Sequence, residues 1–97
     1  MPLLKEPRKN EILQTIEKAG FEPSAFDLAD DGVEFRIEHT QSASCLTLYR
    51  DSTWRYVGTY YVGFGPERPF DRSWMTVIPL VAEWLAELRR NRDASDL

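Results

Sequence analysis

The residue types best suited to chemistry in this chain are a lone histidine, His39, and a lone cysteine, Cys45. A thiol and an imidazole within reach of one another could form a nucleophile and its base. These two would have to meet across the hairpin made by consecutive strands. Only Arg36 or Arg55 could supply the positive surroundings that lower a thiol's pKa, and no local motif accompanies the pair. Packing or plain exposure is therefore the better reading of Cys45. A general base also needs a partner within hydrogen-bond reach. The neighbours Glu38 and Thr40 point to the opposite face of a strand from His39, so a surface or strand-end histidine is expected.

The other candidate constellations fail on their own chemistry. Gly63-Phe64-Gly65-Pro66 precedes a helix, as a phosphate cradle would. Pro66 and Pro69 remove two backbone donors, however, and Glu67 and Asp71 add negative charge. Asp27, Asp30, Asp31 and Glu34 lack the alternating ligand spacing and late bidentate glutamate of a calcium loop; turn chemistry explains them. One cysteine with one histidine cannot build a zinc site. No catalytic residue, metal or cofactor is expected.

These residues must be placed by a small set of elements. Pro7 to Ala19 reads as a helix, with Ile12, Leu13, Ile16 and Ala19 on one face and Gly20 as its stop. Glu22 to Phe26 is a turn, with Phe26 and Leu28 folding back onto the core. Asp30-Asp31-Gly32 is a second turn. Val33, Phe35 and Ile37 alternate with Glu34, Arg36 and Glu38 in a first strand, and Leu46 and Leu48 alternate with Thr47 and Tyr49 in a second. A third runs from Trp54 to Val62, with Trp54, Tyr56, Gly58, Tyr60 and Val62 assigned to the core. Gly63 to Phe70 is a loop. The final helix spans Arg72 to Arg90, with Asp71 as N-cap and a kink or break at Pro79. Trp74, Val77, Ile78, Val81, Leu85 and Leu88 form its apolar stripe, with Trp84 beside it.

The expected fold is one α+β domain over residues 1–97: two layers, in the order helix, three-stranded antiparallel sheet, helix. One sheet face packs on both helices and the other stays open. The open face would carry Arg36, Tyr49, Arg55, Val57 and Tyr61, with Glu34, Glu38, Cys45, Thr47 and Thr59 among them. These five form a candidate interaction surface. Phe64, Phe70 and Trp74 form a candidate pocket between the Gly63–Phe70 loop and the second helix.

Composition narrows the partners. With 12 basic and 16 acidic residues the net charge is −4, which does not favour a phosphate backbone. Tyrosines and arginines on an open sheet could stack single-stranded bases, yet Glu34 and Glu38 share that patch. No run approaches the ~20 apolar residues of a membrane span, and Met1 to Glu6 holds no signal-peptide core. A single cysteine suits a reducing compartment, so neither nucleic acid nor membrane is expected as a partner and the cytoplasm is the expected location.

Ser73-Trp74, Val77, Val81, Glu83-Trp84-Leu85, Leu88-Arg89-Arg90 and Asp96-Leu97, together with Ile12-Leu13, Ile16, Ala19-Gly20-Phe21, Pro23 and Phe26, resemble a recurrent small bacterial module. Its second helix carries a tryptophan, a Trp-Leu pair, basic residues and a terminal Pro-Asp-Leu-Trp. Ser95 stands where that proline would be, and Pro79 departs from the pattern. The resemblance covers both helices and is thin over the strands. It implies a protein-interaction or adaptor domain of the kind attached to larger bacterial proteins, and assigns no functional residue. The architecture is also similar to parts of bacterial secretion chaperones, which hold client segments. The function expected is a non-catalytic interaction module with a protein partner, itself a homodimer. The alternative is a small-molecule or peptide sensor, an enzyme accessory subunit, or a client-binding domain.

Overall fold

The structure is a computed structural model that describes residues 6–95. The signal-peptide reading of Met1 to Lys5 and the Asp96-Leu97 end of the module pattern lie outside the described residues. The elements are α1 (Glu6–Lys18), β1 (Phe26–Asp30), β2 (Glu34–His39), β3 (Ser44–Arg50), β4 (Tyr56–Tyr61), β5 (Arg68–Pro69) and α2 (Val77–Ser95). Short 3-10 turns at Pro23–Ala25 and Thr40–Ser42 precede β1 and β3. Over the described residues the fold is α+β with an antiparallel sheet and two helices, but the sheet has five strands rather than three, in the order β1-β2-β3-β4-β5.

The two added strands lie at the sheet's edges. β1 runs between the two expected turns, Glu22 to Phe26 and Asp30 to Gly32, where only Phe26 and Leu28 are expected to fold back onto the core. Phe26 and Leu28 do face inward, opposite His39 and Ile37. Asp27 and Ala29 alternate outward and are exposed. An edge strand pairs on one side only, so it tolerates aspartates that a central strand would reject. β5 is two residues of the Gly63–Phe70 loop, paired with Thr59 and Tyr60. Pro69 is admissible there because an outermost strand needs no donor on its free side.

α1 closes as its sequence suggests. Gly20 takes φ +88°, and the Gly20 and Phe21 N–H groups donate to the Glu17 and Ile16 carbonyls at 3.0 and 3.2 Å, satisfying carbonyls left open at the helix end. α2 begins at Val77, five residues later than expected, so Asp71 is not its N-cap. The delay has a cause: Trp74 pairs with Tyr56, each backbone N–H donating to the other's carbonyl at 2.9 and 2.7 Å, which holds the preceding chain extended. Pro79 then falls at the third helical position. The first four N–H groups of a helix have no intrahelical acceptor, so no helix bond is lost there and the expected interruption does not occur.

One cluster contains the inward residues of both layers: Ile12 and Ile16 of α1; Phe26, Phe35, Ile37, Leu46, Leu48 and Tyr56 of the sheet; and Val77, Leu80, Val81, Trp84, Leu85 and Leu88 of α2. Several residues expected to face inward are outside it, and three of them are exposed: Leu13 at the rim of α1, Val33 and Trp54. Val33 is 76% exposed and Trp54 74% exposed. β2 starts one residue after Val33, whose N–H is held by Asp31 Oδ1 at 2.9 Å. Trp54 lies in the β3–β4 loop at φ +63°. Tyr60 and Val62 are only half-buried. Trp84, placed beside the stripe by its spacing, is fully buried, with its ring edge-on to Phe26 at 5.9 Å.

Candidate functional site

The outer face of the sheet is the first candidate. Glu34, Arg36, Glu38, Cys45, Thr47, Tyr49, Val57, Thr59 and Tyr61 share it through the register of β2, β3 and β4. Tyr49 lies directly between Glu34 and Val57, and Cys45 between Glu38 and Tyr61. Arg36 is bracketed by Glu34 at 3.9 Å and Glu38 at 3.7 Å, so its charge is offset within the face. Of the five residues expected on this surface, Arg36, Tyr49, Val57 and Tyr61 are there. Arg55 is not: it precedes β4, and its guanidinium donates to the Ser73 carbonyl at 3.2 Å.

Cys45 and His39 lie on opposite faces, since the residue paired with His39 is Ser44, and this removes the nucleophile–base reading of the pair. Burial pushes the Cys45 thiol's pKa up; Thr47, 3.8 Å from Sγ, and Arg36 oppose that more weakly. A protonated thiol is neither a good nucleophile nor a ready metal ligand.

Of the two expected readings of His39, surface or strand-end, the strand end is the one found and the surface is not. It is buried at the end of β2, its ring 4.6 Å from Phe26 and 5.6 Å from Phe21. The 3-10 turn folds Ser42 back so that His39 Nδ1 and Ser42 Oγ share a hydrogen bond at 2.6 Å. Ser42 Oγ lies 2.8 Å from Ser44 Oγ, which accepts the Gly63 N–H at 2.9 Å. Ala43 turns the chain between them in the left-handed region, φ 55°. Burial, and secondarily the charge of Arg92, hold the imidazole below its usual pKa. In an activated serine the base is commonly oriented by a third group. The rings that pack this imidazole are Phe21 and Phe26, which fix its position but hold no proton. Ser44, for its part, is occupied by Gly63. The chain His39–Ser42–Ser44–Gly63 thus ties the β2–β3 turn to the end of β4.

Beside this tie run two open grooves. One, of about 540 Å³, is lined by Phe21, His39, Ser42, Gly63, Leu88 and Arg92 among others. The other, of about 520 Å³, lies between the Gly63–Phe70 loop and α2, bounded by Tyr60, Val62, Arg68, Glu87 and Arg90. Phe64, fully exposed, stands at the margin of both. Of the three residues expected to line a pocket here, Phe64 does so. Phe70 instead packs on Tyr60 at 5.1 Å. Trp74 sits under the Arg72 guanidinium, which lies 4.1 Å from the indole centroid, and Trp74 Nε1 is shut from solvent without a hydrogen-bond partner among the described residues. Sequence reasoning missed Ser42 and Ser44, for which no local signal exists: their roles arise only when β4 brings Gly63 alongside.

Among the described residues no group of three His, Cys, Asp or Glu side chains could hold a metal ion, and no helix is long and apolar enough to cross a membrane. Comparison of the chain with protein-family models, with curated proteins and with solved structures yields no match.

Proposed function

We propose that this chain is a non-catalytic protein-interaction module of adaptor type, whose uncovered sheet face takes a protein partner. The observation that carries the reading is the asymmetry of the sheet. Both helices contribute to the core on one face, while the other presents Tyr49, Val57, Tyr61 and Arg36 side by side. Antiparallel sheets with one solvated face are common. Tyrosine and arginine are nonetheless the side chains enriched at the centres of protein interfaces. The bracketing of Arg36 by Glu34 and Glu38 makes the face a poor match for a phosphate backbone, so a nucleic-acid platform is disfavoured. A bacterial, cytoplasmic setting follows from the resemblance and from the single cysteine; no membrane partner is part of the reading.

The alternative, a small-molecule or peptide sensor, rests on the two grooves flanking Phe64. They are open rather than enclosed, whereas a sensor buries most of its ligand. A pull-down from the native cell separates the readings. Proteins retained by the wild type should be lost from a Tyr49→Glu/Tyr61→Glu variant whose melting curve is unchanged. Recovery of the same proteins by both would remove the sheet face as the interaction surface. Loss on Phe64→Ser instead would favour the grooves.

A further inference from the structure

Two turns leave the sheet at the same end, opposite the His39 end. The β1–β2 turn carries Asp31 and Val33, flanked by Asp30 and Glu34. The β3–β4 loop carries Trp54, flanked by Arg50 and Arg55. Two strand spacings separate them, about 10 Å, so a turn that stays acidic on balance, with Glu34 shared with Arg36, lies beside a loop that is positive on balance, with Arg50 and Arg55 against Asp51. Each bears one exposed apolar side chain, Val33 at 76% and Trp54 at 74%.

Trp54 is built to be exposed. A bulky residue at φ +63° is a backbone outlier, and the loop holds it there. The Asp51 N–H donates to the Arg55 carbonyl at 2.9 Å and the Trp54 N–H to the Asp51 carbonyl at 3.1 Å. Asp51 Oδ1 accepts the Thr53 N–H and hydroxyl and the Arg55 N–H at 2.8, 2.6 and 3.0 Å, which orients this carboxylate onto its own loop; it stays charged, so Arg50 and Arg55 leave the loop positive on balance. Arg50 reaches the Trp54 carbonyl and the Tyr56 hydroxyl, with its guanidinium 5.7 Å from the Trp54 ring centroid. Strain maintained around an exposed tryptophan points to a docking role. On the acidic side, Asp31 Oδ1 accepts the Val33 and Glu34 N–H groups at 2.9 and 2.7 Å, which fixes Val33 at the apex of its turn.

We propose that this end of the sheet is a self-association surface that docks a second copy of the chain about a two-fold axis perpendicular to the sheet. The charge pattern selects both occupant and axis. Rotation about the sheet normal sets two such ends together with sides exchanged. The acidic turn of one copy then faces the basic loop of the other twice over, and each Trp54 meets the partner's Val33. An axis in the sheet plane, across the strands, would set acid on acid and base on base. A closed pair of this kind is isologous, each patch meeting its complement on an identical chain. It leaves both outer faces uncovered and pointing the same way, so it is independent of the function proposed above.

Light scattering and sedimentation over a range of concentrations test the proposal. The wild type should pass from the mass of one chain to that of two. Trp54→Gly should weaken the pair about thirtyfold or more, as loss of a central aromatic anchor does, with a melting temperature unchanged or raised because glycine suits the left-handed backbone. Arg55→Glu alone and Glu34→Arg alone should each be monomeric, since each sets like charges together twice. An equal mixture of these two variants should pair, because every contact then joins opposite charges. Tyr61→Glu, at the far end of the sheet, should pair as the wild type does. A wild type with the mass of one chain at every concentration overturns the proposal. So does a pair that survives both charge reversals, or a mixture of the two variants that stays monomeric.

Discussion

The two faces of this sheet are made from the same strands, residue by residue in alternation, and differ in what surrounds them. On the inner face Phe35, Ile37, Leu46 and Leu48 are sealed by α2 and α1. There even the polar members are enclosed: His39 and Ser44 are buried and bonded within the His39–Ser42–Ser44–Gly63 tie. On the outer face the polar groups offset one another laterally, Arg36 between two glutamates, while the tyrosines remain in water. The contrast teaches that burial, rather than strand propensity, decides which side of an antiparallel sheet carries its stability, and leaves the other side free for recognition.

The comparison can be tested from its largest expected effect downward. Trp84→Ala removes a fully buried indole from the inner side and should cost about 3–5 kcal/mol in denaturant melts; a change within error would show that α2 is not anchored as described. Gly58→Ala should cost about 3 kcal/mol. A Cβ at Gly58 would lie 1.9 Å from the Thr47 carbonyl oxygen, an atom of the neighbouring strand's backbone that cannot turn aside.

His39 gives a pH-dependent version of the same contrast. Its pKa in the fold lies below the ordinary 6.5 because burial, then Arg92, disfavours the charged ring. The unfolded chain thus takes up the proton first. The contribution is fully present above about pH 6.5 and is lost as pH falls through the folded value, with a slope of at most about 1.4 kcal/mol per pH unit. Melting temperatures of the wild type should therefore fall on acidification below that point, and His39→Gln should flatten this part of the curve. Asp31 and Asp51 are lowered from 3.8 mainly by hydrogen bonds, from the backbone N–H groups of Glu34 and Val33 and from Thr53 and Arg55. Their contribution fades only below about pH 3.8 and should persist in the variant. The smallest effect belongs outside. Tyr49 is 45% exposed, and Tyr49→Ser should change stability by less than about 0.5 kcal/mol while weakening capture of a protein partner.

Much of the fold was legible because period-two alternation reports a half-buried strand directly. It placed Phe35, Ile37, Leu46 and Leu48 inside, and Arg36, Tyr49, Val57 and Tyr61 outside. The Gly20-Phe21 stop of α1 was equally plain, since its hydrogen bonds are local. What was not legible depended on partners distant in sequence. β1 contains two aspartates and is a strand only because β2 lies beside it. Residues 72–76 carry helix-compatible side chains, yet the backbone of Trp74 is taken by Tyr56. Val33 and Trp54 continue the alternation one and two residues past the ladder's end, where a turn has already redirected the chain. Arg55 left the outer face for the same reason. The serines that enclose His39 have no periodicity and acquire their role only from Gly63.

The order of the strands has a kinetic consequence. Every strand pairs with its neighbour in sequence, so each ladder closes over a short turn and the sheet can zip from any hairpin without a long search. The helices are different. α1 packs chiefly against α2, and Arg92 of α2 donates to the Gly20 carbonyl at 3.2 Å and covers the Phe21 ring at 4.7 Å. The Arg92–Gly20 contact joins residues 72 apart in sequence, and closure entropy grows with loop length. Docking of α1 on α2 is therefore expected to follow pairing of the strands.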